Sequence, residues 1–330
     1  MRMAPRAPSR PSIGLAQIPP ERLDRVRWRG EATYRVLSYY FSVRWNSAGP
    51  GERIQEILAQ FAVPTDPGEV RFPTTPGVPP RYSLVVLRRA DGLRYWLLFN
   101  EGPLAGGDDL GMVLSALFSH VNGETIRRSG DFLLVHAGAV VTPGGQGVLL
   151  PASSGSGKST LVAGLVRAGF GYLSDEAGAI DPASRKLYPY PKFLTLSEKA
   201  AALFPGLGPT NDGSPLLNGD WYVPPGHLRP GGLGTPCDVR FVIVPRYTPG
   251  ATAEVTPITP AATTAELLLN CLNLTVYRAR ALPVVTDVAS AAQGYRLISG
   301  DLQGAVRAVV DLTGSAEAAP TPSTQSAQAH

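Results

Sequence analysis

The chain has 330 residues, of which 44% are hydrophobic and 17% charged, and it carries a formal net charge of +4 at pH 7. This length leaves room for two domains, and a chain of this composition can bury a sizeable core without disulfides or structural metals. The balance excludes a mainly disordered chain, and no apolar run is long enough to span a bilayer as a helix.

The two ends of the sequence lack the periodicity of helices and strands. Residues 1–29 are rich in Pro and Arg and are predicted to form a disordered basic tail. Residues 314–330 are small and polar and are predicted to form a second disordered tail. Between the tails, no stripe of Lys and Arg interleaved with aromatics occurs, so we expect neither nucleic-acid nor membrane binding. The N-terminal residues contain no signal-peptide core, which predicts a cytoplasmic protein.

The first part of the chain, residues 30–129, is predicted to form a small α+β domain. Aromatic and β-branched residues favour its strands, and apolar residues at helical spacing indicate its helices. The predicted elements are a strand at 33–43, a helix at 52–61, a hairpin of strands at 82–88 and 93–100, and a helix at 110–121. No pattern among them indicates chemistry, and the role of this domain stays open.

Residues 130–313 are predicted to form a second, α/β domain with a mixed sheet. Short apolar runs alternate here with amphipathic segments, which is typical of strands and helices that pack in layers. The predicted elements are strands at 132–141 and 147–150, a helix at 159–168, strands at 171–174 and 240–245, and a helix at 264–274. This domain carries the residues that indicate a function.

A glycine-rich loop separates the strand at 147–150 from the helix at 159–168. It fits the P-loop pattern with Ala in place of the first Gly, over Ala152, Ser153, Ser154, Gly155, Ser156, Gly157, Lys158, Ser159 and Thr160. Glycines let backbone N–H groups turn towards phosphate oxygens, and the start of the following helix favours an anion. We expect Lys158 to reach the β- and γ-phosphates of ATP and the Ser159 hydroxyl to ligate Mg²⁺.

Two acidic residues, Asp175 and Glu176, follow the apolar strand predicted at 171–174. A strand there that is parallel and adjacent to the strand before the loop places both carboxylates at the carboxyl edge of the sheet, where ligands of open α/β folds bind. One carboxylate can hold Mg²⁺, and the other can take the proton of an attacking hydroxyl. Candidate Mg²⁺ ligands are therefore Ser159, Asp175 and Glu176, and the alternative for either acidic residue is a turn cap.

At these residues the sequence resembles the HPr kinase/phosphorylase family, and especially its shorter relatives associated with peptide modification. The resemblance runs from about residue 131 to residue 196 and is carried by VHAGAVV, LLPASSGSGKST and GYLSDE. It implies a P-loop kinase domain of the HPr kinase/phosphoenolpyruvate carboxykinase-like type. The segment at 230–234 lacks the Glu and Arg of the family's second signature, so the resemblance does not extend to phosphorylase activity or to HPr as the acceptor.

The resemblance also implies roles for single residues. Asp175 matches the family's catalytic base, and Glu176 matches a metal ligand that is usually a second Asp. His136 matches a His on the strand before the loop and is expected near the γ-phosphate with the catalytic Lys158, although a His within an apolar strand is also typical of a core residue. Lys192, in a segment rich in Tyr and Pro, either lines the phosphate pocket or lies on a rigid surface loop.

Together these residues predict an ATP-dependent kinase that transfers the γ-phosphate to a hydroxyl group. The resemblance implies a Ser of a protein or peptide as the acceptor, with ATP and Mg²⁺ bound at the site, and it leaves a homo-oligomer open. Two other functions remain open. One is a kinase for a small hydroxylated metabolite, and the other is a nucleotide-dependent regulatory or binding protein that transfers no phosphate.

Overall fold

A computed structural model describes residues 23–63, 79–153, 155–207, 216–217 and 219–317. The chain divides into two compact units, Met1–Gly123 and Glu124–His330. The division falls inside a long helix, a few residues before the predicted boundary at 129/130. Most of the two predicted tails, at residues 1–22 and 318–330, lies outside the described residues.

The first unit contains a five-stranded sheet in the order β1-β2-β3-β4-β5. Its strands are β1 (Gly30–Val36), β2 (Tyr39–Trp45), β3 (Arg81–Arg89), β4 (Gly92–Phe99) and β5 (Gly102–Gly107). Strands β2 and β3 pair in parallel, and the other neighbours are antiparallel. The helical elements are α1 (Ala48–Ile57), a 3₁₀ turn at Ala59–Phe61, and α2 (Leu110–Arg128), which continues into the second unit.

The sequence predictions for this unit are partly right. The prediction of a single strand at 33–43 is wrong. The chain reverses at Leu37, whose φ of 53° is left-handed, and forms the β1–β2 hairpin. The helix predicted at 52–61 begins earlier and ends earlier, as α1 shows. The β3–β4 hairpin is confirmed, with Arg89 paired to Gly92. The helix predicted at 110–121 is confirmed and continues to Arg128.

Aromatic side chains fill the core of the first unit. Tyr39 stacks on Phe41 at a ring-centroid distance of 5.0 Å, and Tyr82 meets Phe41 edge-on at 5.5 Å. The hydroxyl groups of Tyr39 and Tyr82 are paired, since the Tyr82 oxygen lies 3.2 Å from the Tyr39 oxygen and 2.8 Å from Nδ1 of His120 on α2. The β-branched and aromatic run that predicted a strand therefore builds a packed core of its own.

The second unit contains an eight-stranded mixed sheet and a small three-stranded sheet. Its strands are β6 (Leu133–Val141), β7 (Gly147–Pro151), β8 (Gly171–Ser174), β9 (Ala177–Ile180), β10 (Lys186–Tyr188), β11 (Leu194–Ser197), β12 (Leu216–Leu217), β13 (Asp220–Val223), β14 (Cys237–Tyr247), β15 (Glu254–Ile258) and β16 (Gln293–Ser299). The large sheet has the order β10-β9-β6-β7-β14-β16-β15, with β8 also paired to β6, and the small one has the order β11-β13-β12. Strands β7, β14 and β16 are mutually parallel neighbours, which makes the large sheet mixed as predicted.

Helices cover both faces of the large sheet. They are α3 (Lys158–Arg167), α4 (Glu198–Ala201), α5 (Pro225–Leu228), α6 (Pro260–Leu269), α7 (Leu274–Tyr277), α8 (Ala281–Ala291) and α9 (Leu302–Glu317). One apolar core joins α3, α9 and the small sheet to one face, and another joins α6 and α8 to the other face. Because both faces are covered, β7 and β14 are buried over most of their length, which explains their nearly continuous apolar runs.

Two helix limits differ from the sequence prediction. Helix α6 begins at Pro260 and ends at Leu269, rather than spanning 264–274, because the Thr259 hydroxyl caps its start by accepting from the Ala262 backbone N–H at 3.2 Å. Helix α9 continues to Glu317, so the stretch predicted to be a tail from residue 314 begins as the end of a helix. No described helix of either unit is long and apolar enough to cross a membrane.

Strand β6 separates the two strands that the sequence predicts to be neighbours. It pairs antiparallel with β7 on one side and antiparallel with β8 on the other. The expectation that β8 is adjacent to β7 is therefore wrong. Being antiparallel to the same strand, however, β7 and β8 run in the same direction, so the chain leaves both at the same edge of the sheet. The loop after β7 and the acidic pair after β8 meet there for this reason.

The packing of α3 on β6 depends on a glycine. A Cβ at Gly138 would lie 2.6 Å from Cγ2 of Val162 and 3.2 Å from Cγ of Lys158. We expect Gly138→Ala to lower the free energy of unfolding by about 1–3 kcal/mol, because the helix that carries Lys158 must move away from the strand. Urea denaturation of the purified variant measures this change.

The matched control is Gly123→Ala, inside α2, where an added Cβ meets nothing within 4 Å. There the same substitution should raise stability by roughly 0.5–1 kcal/mol, since Ala favours a helix interior over Gly. Equal effects at the two positions would show that close packing at Gly138 does not hold α3 in place.

Candidate functional site

The glycine-rich loop connects the end of β7 at Pro151 to the start of α3 at Lys158. Gly155 and Gly157 have φ values of +81° and +84°, in the left-handed region where a side chain is strained. Gly157 is the residue that precedes the helix, and no side chain caps the first turn. The backbone N–H groups at the start of α3 therefore keep their hydrogen-bonding capacity for a ligand.

The Ser156 side chain is a further polar group of the loop. The Ser156 hydroxyl oxygen is buried and makes no hydrogen bond within the described residues. A buried polar group without a partner is costly unless a bound molecule satisfies it. Ser154, in the middle of the predicted loop, lies outside the described residues. Ala152 is buried, Ser153 is exposed, and Thr160 is half-buried in the first turn of α3.

Lys158 and His136 are in direct contact. The Lys158 ammonium donates to Nε2 of His136 at 2.9 Å, an assignment that follows from chemistry because an ammonium group has donors only. Burial lowers the pKa of Lys158, against the opposing charges of Glu176 and Asp175. Burial and the Lys158 charge lower the pKa of His136, so this imidazole is neutral at pH 7. The predicted pair is thus brought together at the start of α3.

Asp175, at the turn after β8, is the most enclosed acidic group of the site, with 2% of its surface exposed. One carboxylate oxygen accepts from the Ser159 hydroxyl at 2.9 Å and from the Thr195 backbone N–H at 3.2 Å. The other accepts from the Tyr172 hydroxyl at 3.1 Å and pairs with the Lys192 ammonium at 2.8 Å. Donors on α3, β8 and β11 and on the segment before β11 converge on this one carboxylate.

These donors keep Asp175 ionised despite its burial. Burial raises the pKa of a carboxyl group, but the charge of Lys192 and hydrogen bonds from Lys192, Thr195 and Ser159 outweigh it, and the pKa of Asp175 lies below its usual range. The pKa of Lys192 is raised, because its attraction to Asp175 and Glu176 exceeds the effect of burial. The pKa of Tyr172 lies well above its usual value, chiefly through burial, so this phenol remains a donor.

Glu176 is more open than its neighbour, with about a third of its side chain exposed, and its carboxylate lies 3.8 Å from the Lys192 ammonium. Its backbone is fixed on both sides, because its N–H donates to the Ser174 hydroxyl at 3.1 Å and its carbonyl accepts from the Ala137 N–H at 3.3 Å. The acidic pair is therefore anchored to β6, with one carboxylate enclosed and the other accessible.

Sequence reasoning did not assign three of the groups around Asp175. The sequence leaves two places open for Lys192, the phosphate pocket and a surface loop, and the structure places it against Asp175. The Tyr172 hydroxyl and the Thr195 N–H were not considered, because their approach depends on how β8 and β11 meet. A signal for Tyr172 was available, since it stands on the strand that ends in the acidic pair.

Ser159, Asp175 and Glu176 are the side chains of the site that could hold a divalent cation. Neighbouring oxygen ligands of an octahedral Mg²⁺ lie about 2.9 Å apart, given metal–oxygen distances of about 2.0–2.1 Å. The Ser159 and Asp175 oxygens are separated by 2.9 Å, and Glu176 supplies a further oxygen donor nearby. The described residues contain no cluster of three or more His, Cys, Asp or Glu side chains that could hold a metal. A cation held mainly by phosphates needs only one or two carboxylates.

No protein-family model matches the chain, and no curated protein sequence is significantly similar to it. The resemblance to the HPr kinase/phosphorylase family therefore stays a prediction from the motifs. The geometry of the site has to be interpreted from its own residues.

We expect Asp175 to make the second unit lose stability on acidification. The folded-state pKa of Asp175 lies below the ordinary value of 3.8. The ionised carboxylate therefore contributes fully to the stability of the fold above pH 3.8, and this contribution is lost as the pH falls through the lower folded pKa. Asp175→Asn should lower the free energy of unfolding at pH 7 by about 3 kcal/mol, because Lys192 loses its closest partner. The difference from wild type should shrink below pH 3.8, as measured by denaturation at a series of pH values.

The control is Asp287→Asn, which breaks an exposed ion pair with Arg185 at 2.8 Å. We expect a cost of less than about 1 kcal/mol at pH 7. A cost for Asp175→Asn that is as small as this, or that does not change with pH, would contradict the assignment of a buried, ionised Asp175.

Proposed function

We propose that the protein is an ATP-dependent kinase that transfers the γ-phosphate to a hydroxyl group. The observation that carries this proposal is the hydrogen bond of 2.9 Å between Ser159, in the first turn of α3, and the buried Asp175 after β8. It joins the hydroxyl of a P-loop to an ionised carboxylate from another strand. A glycine-rich turn with an accidental Lys gives no reason for this convergence.

The loop and the start of α3 would bind the phosphates of the nucleotide. Free backbone N–H groups and the positive end of the helix favour an anion, and the Ser156 hydroxyl needs a partner there. Lys158 would hold a phosphate oxygen by its charge, and neutral His136 fixes the position of its ammonium group. Lys158→Ala removes this charge without changing the carboxylates.

The side-chain oxygen atoms of Ser159, Asp175 and Glu176 would be the protein ligands of Mg²⁺. When bound, the cation neutralises charge on the phosphates. The residues of the chain provide the positioning. The Asp175 carboxylate is fixed by four donors, and the backbone of Glu176 is fixed to β6, so neither group has to be ordered when the nucleotide binds.

Asp175 is also the group that would accept the proton in the transfer step. The acceptor hydroxyl oxygen bonds to the γ-phosphorus as the bond to the β–γ bridging oxygen breaks, and its proton passes to the Asp175 carboxylate. A lowered pKa makes Asp175 a weak base. Phosphoryl transfer through a loose transition state depends mainly on positioning and charge neutralisation, which lessens the demand on the base.

The acceptor class rests on the resemblance of the motifs. It favours a Ser of a protein or peptide, a fold of the HPr kinase-like P-loop type, and a cytoplasmic location. A small hydroxylated metabolite is the alternative acceptor. No contact within the described residues distinguishes between the two, so both belong in the assay.

A second function has an observation in its favour. All four positions for strong donors around Asp175 are filled in this structure, by Ser159, Tyr172, Lys192 and Thr195. A carboxylate so fully engaged suits a protein that binds nucleotide and responds to it without transferring phosphate. This alternative predicts that Asp175 can be replaced without loss of nucleotide binding or of function, whereas Lys158 cannot.

The test is transfer from γ-labelled ATP, with Mg²⁺, to candidate acceptors that include peptides encoded beside the gene and a panel of hydroxylated metabolites. We expect label on a Ser of one acceptor, and a loss of at least about 10²-fold in Asp175→Asn and in Lys158→Ala. Lys186→Ala, at an exposed position paired with Asp238, serves as the control and should keep full activity.

Each other outcome has a definite reading. ATP binding without transfer to any acceptor favours the nucleotide-binding regulator. Label on a metabolite alone keeps the kinase and replaces the acceptor. Absence of ATP binding by a folded protein overturns the proposal.

A further inference from the structure

We propose that Lys192 acts as an internal counter-ion, which offsets the charge of Asp175 and Glu176 while no divalent cation is bound and thereby makes cation binding depend on the nucleotide. The inference rests on the proposed function only in taking these two carboxylates as metal ligands. It assigns Lys192 as a positioning residue that controls the order in which the site is filled.

The surroundings of the Lys192 ammonium resemble those of a bound cation. Its nitrogen lies 2.8 Å from a carboxylate oxygen of Asp175 and 3.8 Å from one of Glu176. The Phe193 carbonyl oxygen and the Thr195 hydroxyl oxygen lie at 3.3 Å and 3.4 Å. Four oxygen atoms, two of them from carboxylates, thus surround one positive charge whose side chain is 19% exposed.

The backbone around Lys192 is built to keep it there. Its carbonyl oxygen lies 2.9 Å from the buried Tyr172 hydroxyl, whose single hydrogen is shared between this oxygen and Asp175, and its N–H donates to the Tyr190 carbonyl at 2.9 Å. The Tyr190 N–H in turn donates to the Leu173 carbonyl on β8 at 2.9 Å. The segment that carries Lys192 is therefore tied to the strand that carries the acidic pair. The backbone of the fold thus holds Lys192 where its ammonium group can contact the acidic pair.

Charge balance explains why the site needs such a group. Asp175 and Glu176 bring two negative charges close together, and like charges in a partly buried site repel strongly. Lys158 keeps its charge in its contact with neutral His136 and offsets one negative charge, and Lys192, 2.8 Å from Asp175, offsets the other. Without Lys192, a free divalent cation is the natural substitute, because it is attracted to the same pair of carboxylates.

With Lys192 in place, a free divalent cation at the Ser159–Asp175 oxygens meets a positive charge on the other oxygen of the same carboxylate. A cation that arrives with the phosphates of a nucleotide brings a net negative charge and can move the ammonium group aside. The site therefore discriminates between a cation alone and a cation–nucleotide complex. The two carboxylates and the ammonium groups of Lys158 and Lys192 sum to no net charge, which gives a free metal ion little attraction until the nucleotide is present.

The experiment measures binding of Mn²⁺ alone, by the loss of its free-ion electron paramagnetic resonance signal, to the full chain without nucleotide. We expect Lys192→Met to bind Mn²⁺ at least about tenfold more tightly than the wild type, and Lys192→Arg, which keeps the charge, to resemble the wild type. Lys186→Met, next to the exposed Asp238, is the control and should not change. Adding Asp175→Asn to Lys192→Met should abolish the gain.

Thermal unfolding with and without Mn²⁺ covers variants that fold poorly. We expect Lys192→Met and Lys192→Gln to unfold at lower temperature than the wild type without metal, and to recover more of their stability than the wild type gains when Mn²⁺ is added. Equal or weaker Mn²⁺ binding by both variants, with no recovery, overturns the inference.

The two proposals fail separately in these measurements. Tighter Mn²⁺ binding by Lys192→Met in a protein that neither binds ATP nor transfers phosphate keeps the counter-ion and removes the kinase. Unchanged Mn²⁺ binding together with a loss of ATP affinity makes Lys192 a phosphate ligand, which overturns the inference and keeps the kinase.

Discussion

An enclosed negative charge organises the second unit. A carboxylate with 2% of its surface exposed has lost its water, and an uncompensated charge in such a place costs far more than the few kcal/mol by which a domain is stable. Around Asp175 the hydrogen bonds that water would make are replaced by contacts from Ser159, Tyr172, Lys192 and Thr195. Hydrogen bonds to a charged group contribute about 1.5–3 kcal/mol each, so several are needed together. Elements far apart in sequence must therefore assemble around this charge for the unit to fold.

Local patterns in the sequence predicted most of the helices and strands. They did not predict the features that depend on contacts between residues far apart in the chain. Helix α3, the β3–β4 hairpin and the buried strands follow from periodicity and turn residues. The β1–β2 hairpin was missed, because Leu37 adopts a left-handed conformation that its residue type does not signal. The insertion of β6 between β7 and β8 was missed as well, because strand order depends on tertiary pairing.

The residues of the candidate site show the same division between those that local motifs predict and those whose position depends on the fold. The loop from Ala152 to Thr160, the acidic pair and His136 could be found from spacing and resemblance, because each lies on a short motif. Lys192 could be identified as a candidate, but its position could not be predicted. Its contact with Asp175 depends on how the segment between β10 and β11 folds. Motifs thus indicated the candidate phosphate-binding groups, whereas the groups that surround them and set their charge required coordinates.

The central position of β6 has a mechanical consequence. His136 stands on this strand, the loop with Lys158 follows its neighbour β7, and the acidic pair follows its other neighbour β8, with Glu176 bonded to β6 through its carbonyl. The candidate groups therefore share one backbone framework, in which β6 is hydrogen-bonded to the strands on both sides. A substitution that bends or shifts β6 is expected to displace His136, Lys158 and the acidic pair together.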